Sequence, residues 1–434
     1  MTHRNGETRR LDVAALARIE GEASLHVAVR DGLVTDVQLS IFEPPRFFEA
    51  LLRGRAYTEP PDITARICGI CPVAYQMSAC QALEQACGVS VDGQVAQLRR
   101  LLYCGEWIES HTLHIYMLHA PDFLGYESAI ALAGDHRDIV ERGLQLKKVG
   151  NDIVSMIGGR AIHPVNVRVG GFYKLPVATD LEAMAERLRW ARDAAIDTAR
   201  WVATFDFPDA RLDGDLVSLR NEHEYPMNQG RLVSTSGLDV AVEEFSEHFT
   251  EAHVAHSTAL QGVGPGPLPH TVGPLARYSL NSERLSPTAR QVATDTGLGA
   301  ACRNPFQSII VRAVEVVFAC DEALRIIDEY EAPARPHLDV SARAGTGHGC
   351  TEAPRGSLYH RYTLDAEGVI TNAVIVPPTA QNQPSIERSL RQFVQSRLHL
   401  DDAELTRQCE QAIRNYDPCI SCATHFLDLR LDRG

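Results

Sequence analysis

Asp417-Pro418-Cys419-Ile420-Ser421-Cys422-Ala423-Thr424-His425 holds two cysteines with two residues between them. Near the other end of the chain, Arg66-Ile67-Cys68-Gly69-Ile70-Cys71 repeats the spacing. That spacing lets two thiolates reach one metal from a single turn of backbone, so each pair is half of a site. One pair alone fits a redox dithiol, half a zinc site or chance. Two pairs make a four-thiolate set suited to a soft or borderline metal. On the cysteines alone, a structural zinc joining the two ends of the chain is the plain alternative.

The totals narrow the class. The 434 residues are 44% hydrophobic, enough for a substantial core. A net charge of −14 argues against nucleic acid and anionic membranes as partners. Eleven cysteines in a chain of this length do not make a disulfide scaffold. No apolar run is long enough to span a bilayer, and Met1 to Glu7 is not followed by the apolar segment of a signal peptide. A reducing cytoplasm, which keeps paired cysteines available for metal, is the expected location.

The residues flanking the cysteines carry a resemblance. Arg66-x-Cys68-Gly69-x-Cys71, taken with Asp417-Pro418-Cys-x-x-Cys-x-x-His425, resembles the signature pair of the nickel–iron hydrogenase large subunit. Arg18-Ile19-Glu20-Gly21 is similar to that family's glutamate motif, and Glu352-Ala353-Pro354-Arg355-Gly356 to its arginine motif. Gly158-Gly159-Arg160-Ala161-Ile162-His163-Pro164 and Tyr225-Pro226-Met227-Asn228 are similar to the cytosolic, NAD(P)-linked branch. The resemblance runs from about Leu16 to His425. It implies one α+β unit over residues 1–425, a long-helix bundle with peripheral hairpins.

It also implies a nickel–iron centre whose iron carries carbon monoxide and cyanide, performing reversible heterolytic splitting of H2. Cys68 and Cys419 would be terminal nickel ligands, and Cys71 and Cys422 bridges to iron. Glu20 would relay protons from a ligand thiolate. Arg355 would sit beside the metals, paired with Asp417, as base or as structural partner. Pro354 would wall the diatomic ligands, and Thr379 would stand in for a serine that faces cyanide. Glu49 and His425 would bind a magnesium-type ion. Residues 426–434 would be an extension cut off by a maturation protease. Tyr75, Ser110 and Pro378 depart from the residues of the membrane-attached members.

No cysteine pattern for an iron–sulfur cluster and no dinucleotide fingerprint accompanies these motifs. Electrons would therefore leave through an iron–sulfur small subunit, with flavin- and NAD(P)-binding subunits as further partners. A hydrogen-sensing subunit shares every ligand but usually ends at the histidine. A structural zinc protein has no need of Glu20 or Arg355.

Along the chain, Ser24–Val29 and Leu33–Ser40 alternate around Asp31-Gly32 as a hairpin. Helices are expected over 47–55, 74–87, 94–118, 181–202, 305–330, 386–396 and 402–415. His111 and His114 share a face of one of them and read as packing residues. Arg361–Leu364 and Val369–Val376 form a second hairpin. Asp206–Asn304, rich in Gly, Pro and Ser, reads as loops draped on the helical core. The Gly-rich approach to Glu352 lacks the Lys-Ser/Thr and helix of a phosphate loop.

Overall fold

Four long helices form the centre of the chain, and the reason is periodicity. In the computed structural model, which describes residues 8–424, they span Gly93–Leu113, Arg137–Gly158, Ala178–Val202 and Ser308–Asp328. Each packs on the next and the last returns to the first. In Ala178–Val202, the apolar positions 181, 184, 188, 191, 195 and 202 are all buried, as helical spacing requires. Close approach of the first two helices depends on glycine. A Cβ on Gly150 would lie 2.6 Å from the Glu109 nitrogen and 2.7 Å from the Gly105 oxygen.

The first of these helices was expected to run on to Leu118. It stops at Leu113, and a π-helical turn, His114–His119, widens the ladder ahead of Pro121, which supplies no N–H. The Arg137–Gly158 helix is an addition to the expected set.

A fifth helix, Pro72–Cys87, runs straight on from the first cysteine pair and packs against the strand Gly345–Ala353. Here the Gly-rich stretch has its explanation. A Cβ on Gly345, Gly347 or Gly349 would sit 2.8, 1.9 or 2.3 Å from the carbonyl oxygens of Ala86, Ala82 and Ser78. Two strand residues advance about 6.6 Å and four helical residues about 6 Å, so alternate glycines meet successive turns. The stretch is a strand laid on bare helix backbone. Gly356–Leu364 and Ile370–Val376 complete an antiparallel sheet of three, with the expected hairpin at its edge.

The N-terminal sheet contains the expected hairpin, Ala23–Arg30 with Leu33–Ile41, turning at Asp31 and Gly32 with φ of 51° and 75°. An additional strand, Thr8–Val13, pairs with its first member. Between Asp206 and Asn304 the reading as loops is corrected. The segment builds a four-stranded sheet, a short hairpin, and the helices Pro274–Asn281 and Pro287–Asp295. Its Gly, Pro and Ser residues punctuate short elements, and Val217, Leu219, Phe245 and Phe249 form a second hydrophobic cluster with Tyr359.

The two ends of the chain are fastened to each other. Arg18 and Arg414 both pair with the buried Asp122, Arg414 at 2.9 Å. Arg9 donates to the carbonyls of Leu398 and Leu400. This brings the segments before Ala23 and after Arg414 together.

Candidate metal centre

Both cysteine pairs sit where a helix begins. Cys68 follows the tight turn Ala65–Ile67, and Cys71 stands immediately before the Pro72–Cys87 helix, with proline at its first position. The first N–H groups of that helix have no partner within it. Glu106, reaching across from the central helix, accepts those of Val73 and Ala74 at 2.6 and 3.1 Å. The Gly158–Pro164 loop braces the same turn. His163 Nδ1 meets the Ala65 carbonyl at 2.7 Å, and Gln76 donates to the Pro164 carbonyl at 2.7 Å.

The second pair follows the helix Asp402–Arg414, capped by Asp401, whose carboxylate accepts from Glu404 N–H at 2.9 Å. Asp417 then takes φ of 50°, a left-handed conformation uncommon outside glycine, and turns Cys419 inward. Arg46 joins the two loops by donating to the carbonyls of Ile67, at 2.6 Å, and Ser421.

The four sulfurs of Cys68, Cys71, Cys419 and Cys422 all lie within 4.8 Å of one another, buried. Cys68 and Cys419 are 3.5 Å apart, Cys71 and Cys422 3.6 Å, and Cys419 and Cys422 2.9 Å. Among the described residues no other group of three or more His, Cys, Asp or Glu side chains converges in this way.

The remaining candidates are arranged around the quartet. Glu20 is bridged to the second loop through its backbone, accepting from Ile420 N–H at 2.9 Å. Its Oε2 accepts from the Ser421 N–H at 2.9 Å and lies 3.1 Å from Cys419 Sγ. Gly21 is what permits this approach: a Cβ there would come 2.6 Å from Ile420. Arg355 donates through Nε to the Asp417 carbonyl at 2.7 Å and through Nη2 to its carboxylate at 3.0 Å. Its Nη1 and the other oxygen of Asp417 are buried without partners among the described residues. Thr379 accepts from the Cys419 N–H at 3.0 Å, which leaves its own proton to donate. Pro354, Tyr75, Ser110 and Pro378 are buried.

Glu49 lies apart from the cysteines, accepting from Ile375 N–H at 2.8 Å. Burial pushes its carboxyl up to about 7, and burial with the charge of Glu49 takes Glu251 to about 8. His425 lies outside the described residues.

The charges test the fit of a metal. Hydrogen bonding from Cys419 pulls the Cys68 thiol down, while burial pushes Cys419 well up. Four packed thiols can all lose their protons only against added positive charge, which a soft metal ion supplies. Burial opposes the charge on Arg355, but Asp417 and then the sulfurs of Cys419, Cys71 and Cys68 hold its pKa above the ordinary value. Tyr75 is pushed up by burial and then by the charges of Cys422 and Cys71, so its phenol keeps its proton. The donor set and its surroundings therefore suit a thiolate-bound metal.

Several contributors carry no signal in the sequence. Glu106, Arg46 and Arg277 are single charged residues in ordinary helical or loop contexts. The last of these donates to the Pro354 carbonyl at 3.0 Å. Of the two branch motifs, the glycine loop braces the turn around the first cysteine pair, whereas Tyr225 donates to Glu315 at 2.8 Å.

Comparison with known proteins points the same way. The family model for nickel-dependent hydrogenases matches residues 46–142 and 268–425. Sulfhydrogenase 1 subunit alpha of Pyrococcus furiosus is 33% identical, over 95% of this chain and 97% of its own length. The NAD-reducing hydrogenase HoxS subunit beta of Cupriavidus necator is 28% identical over 97% of this chain and 95% of its own. A crystal structure of an NAD+-reducing nickel–iron hydrogenase in the H2-reduced state superposes with a TM-score of 0.87 at 25% identity, covering 97% of this chain and all (100%) of that one. With its long helices, its three-stranded sheets and its buried cysteine quartet, the chain belongs to the nickel-dependent hydrogenase family as a large subunit, an oxidoreductase acting on H2.

Proposed function

We propose that Cys68, Cys71, Cys419 and Cys422 hold a nickel–iron centre, with carbon monoxide and cyanide on the iron, and that Glu20 carries protons to and from it. The observation that supports this best is the meeting of two distant cysteine pairs, with a carboxylate 3.1 Å from one sulfur and a buried arginine beside them. When bound, the metals supply the polarising centre at which H2 is cleaved to protons and electrons. The protein does the rest.

Glu20 Oε2 is at hydrogen-bond distance from Cys419 Sγ, so a proton on that sulfur has an acceptor in place. The Ser421 N–H holds that same oxygen in register. Arg355 is a fixed cation, because its carboxylate partner and the sulfurs raise its pKa further. This favours electrostatic stabilisation and orientation over service as a base. The Thr379 hydroxyl and the unpartnered Arg355 Nη1 are donors available to cyanide. Pro354 would form part of the wall around the diatomic ligands.

The electrons leave through a second chain, an iron–sulfur small subunit, and pass to NAD(P) through flavin- and NAD(P)-binding subunits. Relatives described as one lettered subunit of a larger enzyme, and one described as NAD-reducing, support this assignment. Among the described residues no helix is long and apolar enough to cross a membrane. A cytoplasmic location is part of the same proposal, since NAD(P) is the electron acceptor it names. Glu49 and His425 would share a magnesium-type ion, closing the single domain of residues 1–425 after a protease removes 426–434.

Metal analysis with infrared spectroscopy tests the reading. Purified protein is expected to contain nickel and iron and to show carbon monoxide and cyanide stretching bands. Zinc as the sole metal, with no such bands, would return the quartet to a structural role.

A further inference from the structure

Arg277 is completely buried and uses every N–H it has. Nε donates to Glu315 Oε1 at 2.9 Å and Nη2 to Glu315 Oε2 at 2.8 Å. Nη1 donates to Glu352 Oε2 at 3.1 Å. The two remaining bonds go to backbone: Nη1 to the Ala353 carbonyl at 2.7 Å and Nη2 to the Pro354 carbonyl at 3.0 Å. Five donors meet five acceptors around one guanidinium. Trp107 lies beneath it, 4.5 Å from its ring centre, and donates Nε1 to the Glu352 carbonyl at 3.0 Å. Three successive carbonyls, those of Glu352, Ala353 and Pro354, are thus each held by a side chain, and the next residue is Arg355.

The grip continues past it. The helix carrying Arg277 begins after Gly273, where a Cβ would lie 2.7 Å from the Arg355 carbonyl. Among the described residues the hydrogen bonds of the Arg355 side chain go to Asp417, one to its carbonyl and one to its carboxylate. The guanidinium is thus set at its far end by Asp417 and at its root by the backbone that Arg277 and Trp107 hold.

We propose that Arg277, with Trp107, is a positioning residue for Arg355, setting where that guanidinium stands relative to the cysteine quartet. The proposal rests on the hydrogenase reading of the site. A displacement of about 1 Å in a catalytic constellation costs on the order of 100-fold in rate. Lysine in place of Arg277 keeps the charge but has three donors and no planar fork, so it releases at least two of the five acceptors.

The test uses the holoenzyme purified with its co-purifying subunits, and five variants: Arg277→Lys, Trp107→Phe, Arg355→Lys, and each of the first two combined with Arg355→Lys. Trp107→Phe keeps a ring under the guanidinium and removes one N–H. Nickel and iron content are measured first, then the rate of HD formation from D2 in H2O. Metal-replete Arg277→Lys is expected to lose at least tenfold in rate and Trp107→Phe severalfold. In the Arg355→Lys background neither is expected to reduce the rate further, because both act through that side chain. Wild-type rates in metal-replete single variants would overturn the proposal, as would losses that multiply with that of Arg355→Lys. Loss of the metals in both single variants would also overturn it, by assigning the pair to folding. Nickel and iron absent from the parent enzyme as well would reject the hydrogenase site itself, an outcome distinguishable from any of these.

Discussion

Glu20 occupies a position that only a short list of side chains can fill. Its carboxylate must accept from the Ser421 N–H and also reach Cys419 Sγ. Glu20→Gln keeps the length and a hydrogen-bonding oxygen but cannot carry a titratable proton. Turnover with an artificial electron acceptor is expected to fall by about 100-fold or more, with nickel and iron unchanged. Intact turnover in a metal-replete variant would remove Glu20 from the proton route. For Arg355→Lys the expectation is a loss of similar size with the metals retained, since the fork on Asp417 is broken while the charge remains.

The cysteines were legible at this scale because ligand spacing is local, and Glu20 and Arg355 because they stand in quoted motifs. Arg277, Glu106 and Arg46 were not. A lone charged residue on a helix or loop ordinarily faces water, and what makes these three different is a hydrogen-bond partner from 21 to 375 positions away.

Three of the four bundle helices lie close to where their apolar positions put them, and the fourth, Arg137–Gly158, is an addition. The elements that escaped are those whose chemistry imitates something else. Glycine usually punctuates loops, yet in Gly345–Ala353 it allows a strand to lie on helix backbone. Gly347→Ala tests that directly. The added carbon would sit 1.9 Å from the Ala82 oxygen, neither of which can move without displacing the helix that starts at Pro72. A loss of about 3 kcal/mol or more is expected, seen as a lowered midpoint in thermal unfolding. A variant as stable as the parent would show that strand and helix are not so tightly joined.

His111 offers a pH test on the same helices. It lies 2.9 Å from Glu315, and burial pushes its imidazole down to about 4. Between that value and the ordinary one of about 6.5, the unfolded chain binds a proton that the folded one does not, so stability falls as pH falls through this window. In urea unfolding, His111→Gln is expected to show a smaller difference in stability between about pH 7 and about pH 5 than the parent. An unchanged difference would place the titration elsewhere.

At the scale of the whole molecule, the chain closes on itself. The segments around Glu20 and Cys419 share a backbone bridge, Arg18 and Arg414 share Asp122, and Arg46 ties the Cys68 loop to the Cys422 loop. A metal bound by all four thiolates would join the two ends, so its removal by a chelator under reducing conditions is expected to lower the unfolding midpoint. The proposed removal of residues 426–434 belongs to the same closure. Active enzyme is expected to end at His425, and an intact mass that still includes Gly434 in fully active protein would contradict it.

The central claim is that H2 is split heterolytically at the cysteine quartet. Isotope exchange measures that step without the electron-transfer partners' participation. Purified enzyme under D2 in H2O is followed by mass spectrometry, beside Cys419→Ser. The parent is expected to release HD and then H2, and Cys419→Ser to release neither above background. Exchange at the parent's rate in Cys419→Ser, or none in a parent protein replete with nickel and iron, would contradict the account.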